Sequence, residues 1–86
     1  MFLEVTRNSQ LMLNMSHVVA IEWKPGERVI KMLMLFGATP FKLELTFDDA
    51  GLAEKAYERI RKAIVQNIKM LTLNAETRKE MIKHEN

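Results

Sequence analysis

Apolar and polar residues alternate along the first half of the chain with the two-residue period of β-strands. The alternation is most regular over residues 41–47, where phenylalanines and leucines fall on one side and Lys42, Glu44 and Thr46 on the other. Similar patterns predict three earlier strands. They cover residues 2–7, residues 11–23 with a kink at Ser16 and His17, and residues 28–36.

A tight turn is predicted between the second and third strands. Lys24-Pro25-Gly26-Glu27 places proline and glycine at the two central positions of a type II turn. Proline presets the φ that the first of these positions needs, and glycine tolerates the positive φ of the second. The segment 11–36 should therefore form a hairpin.

A long amphipathic helix is predicted over residues 48 to 70. Apolar residues recur every four positions along one face, at Leu52, Ala56, Ile60, Ile64 and Ile68. The segment Thr46-Phe47-Asp48-Asp49 fits a Thr-x-x-acid capping box, and both aspartates suit the positive end of the helix dipole. The helix should begin directly after the fourth strand.

The residues after Leu71 predict a separate extension. Asn74 is a suitable N-cap for a short helix over residues 75–84, which is mostly polar and could be a docking helix or an arm. The predicted fold class is α+β, a four-stranded antiparallel meander followed by one long amphipathic helix and a short C-terminal helix or arm. Residues 1–71 would form the domain and residues 72–86 the extension.

The third strand, residues 28–36, is apolar on both sides, and strands of this kind are normally covered on both. Because one helix covers one face of a sheet, a homodimer or larger ring is predicted. The self-association face is assigned to Ile30, Met32, Met34 and Phe36. Two alternatives remain: residues 74–84 fold back over this face, or the strand simply lies at the centre of a twisted sheet.

Composition excludes several classes of protein. The 86 residues include no cysteine, so disulfides, thiolate metal sites and cysteine nucleophiles are absent. Thirteen basic and eleven acidic residues leave a net charge of +2, too small to indicate an anionic partner. No apolar run approaches the roughly 18–20 residues of a membrane span, and residues 1–7 do not resemble a secretory signal. The cytoplasm is therefore the expected compartment, with no membrane partner.

The residues that could carry chemistry are few. His17 follows Ser16 on a strand, where neighbouring side chains point to opposite faces, and His84 lies near the C-terminus. Asp48 and Asp49 are adjacent, but their position at a helix start already accounts for them. No spacing suggests a metal site or a phosphate-binding loop. The sequence therefore predicts no catalytic, cofactor-binding or metal-ligating residues and a protein that is not an enzyme.

Binding of single-stranded nucleic acid is the alternative function. Sheets that bind single strands combine a basic groove with stacking aromatic side chains. The candidates here are Arg7, Arg28, Lys31 and Lys42. Five basic residues over positions 1–47 are nearly balanced by four glutamates, so protein binding is the preferred prediction.

The order of these features resembles the FlbD/SwrD family of small flagellum-associated proteins. The matching residues are Phe2-Leu3-Glu4-Val5-Thr6-Arg7-Asn8, Leu13-Asn14, Val18 to Glu22, Pro25 and Val29-Ile30, within a resemblance that covers about residues 2–65. It implies a cytoplasmic, non-enzymatic accessory protein that acts on the flagellar motor through protein contacts. Two departures are Ser9, where the family usually has glycine, and the extra segment after residue 70.

Overall fold

A computed structural model describes residues 1–81 and shows an α+β fold of two β-sheets and one long helix. The strands are β1 Phe2–Thr6, β2 Leu11–Asn14, β3 Val18–Trp23, β4 Val29–Phe36, β5 Thr39–Thr46, β6 Met70–Asn74 and β7 Glu76–Met81, the helix α1 is Ala50–Val65, and a 3-10 turn spans Met15–His17.

The predicted meander is divided between two sheets. One is a four-stranded antiparallel sheet in the order β3-β4-β5-β7, and the other has the order β2-β1-β6, with β1 antiparallel to β2 and parallel to β6. The division occurs at the kink that the sequence predicted. There the Asn14 side chain accepts hydrogen bonds from the Ser16 backbone N–H at 3.0 Å and the Ser16 hydroxyl at 2.8 Å, which fixes the 3-10 turn.

Two bent segments join the sheets and enclose the core between them. The first runs from β2 through the 3-10 turn into β3, and the second runs from β6 through the fully buried Ala75 into β7. At the second corner the Ala75 N–H donates to the Thr6 carbonyl at 3.1 Å, which extends the pairing with β1. Strands that change sheets at a bend are typical of closely packed two-sheet domains.

The predicted type II turn is confirmed. The Glu27 N–H donates to the Lys24 carbonyl at 3.0 Å, and Gly26 has the positive φ, +89°, that the third turn position requires. The Trp23 indole N–H also donates to the Glu27 carbonyl at 2.8 Å. This hairpin therefore follows from local sequence.

Helix α1 is shorter than predicted at both ends. Its N-cap is Asp49, whose side chain accepts from the Leu52 N–H at 2.8 Å, while Thr46 stays in β5. The helix stops at Val65 because Asn67 adopts the left-handed conformation, with φ +55°, and the Ile68 N–H donates back to the Ala63 carbonyl at 2.9 Å. These bonds form a Schellman motif, in which asparagine is the second choice after glycine.

The predicted C-terminal helix over residues 75–84 is wrong across the part that the structure describes. Residues 76–81 form β7, which pairs antiparallel with β5 from Thr46↔Glu76 to Phe41↔Met81. An available strand edge outweighs the helix propensity of this charged segment. Residues 72–81 therefore belong to the two sheets and are not a separate extension. Residues 82–84 of the predicted helix, including His84, lie outside the described residues.

The side of β4 that the sequence analysis assigned to self-association instead faces the core. Ile30, Met32 and Met34 point into the space between the sheets and are 0%, 1% and 2% exposed, and Phe36 is the only exposed member of the predicted self-association face. The β2-β1-β6 sheet and α1 supply the cover that the sequence seemed to lack, through buried side chains that include Leu3, Leu73 and Ile60. Because they are buried, Ile30, Met32 and Met34 cannot form a contact surface in the folded chain.

Candidate functional site

The polar residues singled out from the sequence have structural partners. The His17 ring lies 4.9 Å from that of Phe36, centroid to centroid, and Asp49 caps α1. Asp48 accepts hydrogen bonds from Arg7. Within residues 1–81, no three His, Asp or Glu side chains lie close enough together to hold a metal ion.

The four basic residues of the nucleic-acid alternative do not lie together. Arg7 binds Asp48 through both terminal nitrogens, at 3.0 and 3.3 Å, on the side of the molecule where β1 meets the start of α1. Arg28 lies at the end of the β3–β4 turn. Lys31 and Lys42 lie on neighbouring strands of the four-stranded sheet, on the face that points away from the core.

That outer face has alternating charges. The register places Glu22, Lys31, Glu44 and Arg78 in one row across β3, β4, β5 and β7. Lys42 also contacts Glu44 at 3.4 Å. Opposite charges on adjacent strands stabilise a sheet modestly, and across residues 1–81 they leave this face without a basic groove.

Side-chain hydrogen bonds connect the turn after β1 to both β6 and β7. The Asn8 side-chain amide pairs with the Thr77 backbone as a strand would, accepting from its N–H at 3.1 Å and donating to its carbonyl at 3.2 Å. Arg7 has a strained φ of +143° and donates from Nε to the Asn74 side chain at 3.0 Å. Sequence analysis missed these contacts because their partners lie more than 65 residues away.

A groove of about 540 Å³ separates β3 from the C-terminal half of α1. One wall is formed by Val18, Val19, Ala20 and Ile21, and the other by Tyr57, Ile60, Arg61 and Ile64, with Met1, Met15 and Ser16 completing the lining. Arg61 is the one charged side chain among them, so the groove is mainly apolar.

The groove meets the edge of β3. Side chains of consecutive strand residues point to opposite faces, so a surface that includes four consecutive residues follows the edge of the strand. β3 is also the terminal strand of the four-stranded sheet. In residues 1–81, the backbone of Val19 to Trp23 makes no hydrogen bond to an element other than β4. A backbone hydrogen-bonding edge therefore runs along an apolar groove.

Two exposed apolar residues mark the opposite walls of this groove. Val19 is 55% exposed at an irregularity in the β3–β4 register, and Ile64 is 53% exposed on α1. The sequence did not identify this site, because Ile64 continues the apolar stripe that Ile60 buries in the core. The only signal was that β3 is apolar at five of its six positions. Together these residues are the strongest candidate for a functional surface.

Comparisons with known proteins identify no family for this chain. No protein-family model, curated protein or solved structure matches the chain. Within the described residues, no helix has both the length and the apolar character needed to cross a membrane.

Proposed function

We propose that the protein is a non-enzymatic cytoplasmic domain that self-associates and acts in an accessory or regulatory role by binding other polypeptides. The observation that carries this proposal is the apolar groove along the unpaired edge of β3. Exposed apolar surface beside an unpaired strand is a common site of protein association. The resemblance to FlbD/SwrD proteins agrees with a role exerted through protein contacts.

The geometry gives weaker support to catalysis. Among residues 1–81, the polar side chains that line the groove are Ser16, Tyr57 and Arg61, a set without a carboxylate or imidazole to act as a general acid or base. Of the other polar groups, Asn8 hydrogen-bonds across the two sheets to Thr77, while Arg7 binds Asn74 of the adjacent strand β6 and Asp48 before α1. The mainly apolar lining of the groove therefore favours binding over catalysis.

Replacing Ile64 by Glu is expected to weaken self-association. The carboxylate would lose its hydration when two surfaces meet over the groove, so the dissociation constant should rise at least tenfold. Light scattering across a concentration series would give the mass, which should exceed the 10.0 kDa of one chain for the unchanged protein. The variant should shift towards the single-chain mass at the same concentrations.

The matched control is Val65→Glu, one position further along α1. Val65 is 84% exposed and does not line the groove, so this change adds the same charge near the same helix end. Its mass should equal that of the unchanged protein. A 10.0 kDa particle for the unchanged protein at several hundred micromolar would contradict self-association.

Nucleic-acid binding has one observation in its favour. Lys55, Arg59 and Lys62 form a basic stripe on α1, and within residues 1–81 none of them lies within 4.0 Å of a carboxylate oxygen. The stripe has no exposed aromatic platform beside it on the helix. A binder of single strands normally combines both features.

Heparin chromatography separates the two functions. We expect the protein to elute at or below physiological salt, because eleven acidic residues nearly balance its thirteen basic ones. Retention that persists to higher salt and falls steeply with salt would instead indicate release of counterions from a polyanion. In that case the double variant Lys55→Glu/Lys62→Glu should abolish retention, while Lys31→Glu on the sheet should leave it nearly unchanged.

A further inference from the structure

We propose that the groove is occupied by β3 of a second copy of this chain, so that two β3 strands pair antiparallel about a two-fold axis and the four-stranded sheets join into one of eight strands. This inference rests on the proposed self-association and adds its geometry. It follows from a comparison of the strand edges, from the residues of β3, and from the charges that pairing would bring together.

Within residues 1–81, two of the four outermost strands of the sheets carry side-chain hydrogen bonds to their backbone. On β7, the Asn8 side chain pairs with the Thr77 backbone, and the next residues are charged. On β6, Arg59 of α1 donates to the Thr72 carbonyl at 3.3 Å. Side chains that cap an edge and charges along it are ways in which proteins prevent strand addition.

The two remaining edges differ in length and in the space beside them. β2 has four residues and borders a cavity of about 270 Å³ that Phe36 and Phe41 help to enclose. β3 has six residues and borders the 540 Å³ groove. The register irregularity at Val19 leaves Ala20 to Trp23 as a regular stretch that can pair along its outer edge. β3 is therefore the edge best suited to an added strand.

β3 also has the properties that an occupant of the groove needs. An added strand must be extended and apolar on the side that faces α1, because the groove walls are apolar there. Ile21 and Trp23 share the core-facing side of β3, since they pair with the buried Met32 and Ile30. A second β3 would present the same two residues to the groove.

The charges of β3 permit pairing with itself. Its one charged residue is Glu22, which lies beside Lys31 of β4 on the outer face. In antiparallel pairing centred on Ile21, the two Ile21 residues face each other on the inner side and each Glu22 lies opposite Ala20 of the second copy. No like charges are directly opposed, because Glu22 meets the uncharged Ala20 and, beyond it, Leu33 of β4 in the second copy. β7 is less suited to pairing with itself, because it contains the charged residues Arg78, Lys79 and Glu80 in succession.

The absence of native cysteine makes a direct test straightforward. Single variants Ala20→Cys, Ile21→Cys and Glu22→Cys of the full chain would be oxidised in a glutathione buffer and analysed by non-reducing electrophoresis. In this register Ile21 lies opposite itself, within the Cα separation of about 4.4–6.8 Å that a disulfide needs, while Ala20 and Glu22 lie one residue to either side of the axis. We expect a disulfide-linked dimer from at least one of these variants, formed at least tenfold faster than from the controls.

The controls are Lys42→Cys, on the same outer face but on the central strand β5, and Glu80→Cys, on the opposite edge strand β7. Circular dichroism of each reduced variant would verify the fold. Equal rates at Ile21, Lys42 and Glu80 would mean random collision and would overturn the inference.

Light scattering distinguishes failure of the geometry from failure of the proposed function. A dimer in solution that none of the three β3 cysteines links would overturn the strand pairing and leave self-association intact. A single-chain mass together with no linkage would overturn both. Disulfide linkage through β3, together with a dimer of the cysteine-free chain that Ile64→Glu dissociates, supports both.

Discussion

Replacing Met32 by Lys is expected to unfold the protein. Met32 is almost fully buried between the two sheets, opposite Ile21 on β3 and Leu43 on β5. The ammonium group would have no partner in this apolar space, and burying an unpaired charge costs several kcal/mol after relaxation. A domain of this size has a total stability of only about 4–13 kcal/mol. Far-ultraviolet circular dichroism should show loss of the native spectrum at 25 °C.

Leu33→Lys is the control for that experiment, because Leu33 is the next residue of the same strand and is exposed on the outer face. We expect its stability to the denaturant urea to lie within about 0.5–1 kcal/mol of the unchanged protein, as is usual for surface positions. The reverse result, a folded Met32→Lys and an unfolded Leu33→Lys, would mean that the two faces of β4 are interchanged.

Replacing Leu73 by Ala is expected to lower the free energy of unfolding by about 2–4 kcal/mol, because a buried Leu→Ala change loses both transfer energy and packing. Leu73 is buried in β6, where it pairs with Val5 of β1. Urea unfolding followed by tryptophan fluorescence would measure the change through Trp23, the single tryptophan. This experiment tests whether the segment after α1 is part of the core.

Met70→Ala provides the comparison within the same strand, since Met70 is exposed and pairs with Phe2. Its effect should stay below about 1 kcal/mol. If both substitutions had equally small effects, the C-terminal segment would be an appendage to the domain, as the sequence alone had suggested.

Local patterns predicted the parts of the fold that depend on neighbours in sequence. The hairpin around Pro25 and Gly26 was predicted because its turn needs two particular residues, and residues 41–47 were predicted because their alternation is unambiguous. The kink at Ser16 and His17 was also predicted, although its consequence, the passage from one sheet to the other, was not. These elements are determined within about ten residues.

The errors concern choices that are made by distant residues. Both sides of β4 are apolar, so its sequence could not indicate which side faces inward, and the answer depends on the sheet formed by β1, β2 and β6. Residues 76–81 form a strand because β5 offers them an edge, although their composition favours a helix. The asparagine that ends α1 was a readable signal that was overlooked.

The candidate site could not be predicted for the same reason. It consists of a strand edge and two turns of a helix, and 45 positions separate Val19 from Ile64 along the chain. Neither segment contains a recognisable motif, and an apolar strand looks the same in sequence whether its edge is paired or open. Only the arrangement of the sheets reveals which edge is left free.

The parallel pairing of β1 with β6 also has a consequence for biosynthesis. Glu4 and Thr72 are neighbours in this pairing although they are 68 positions apart in sequence. During translation β1 therefore leaves the ribosome well before β6 exists, and one of its edges stays unpaired until β6 has emerged. Such distant pairing slows folding. Until β6 has emerged, the unpaired edge of β1 is open to chaperones or to premature aggregation.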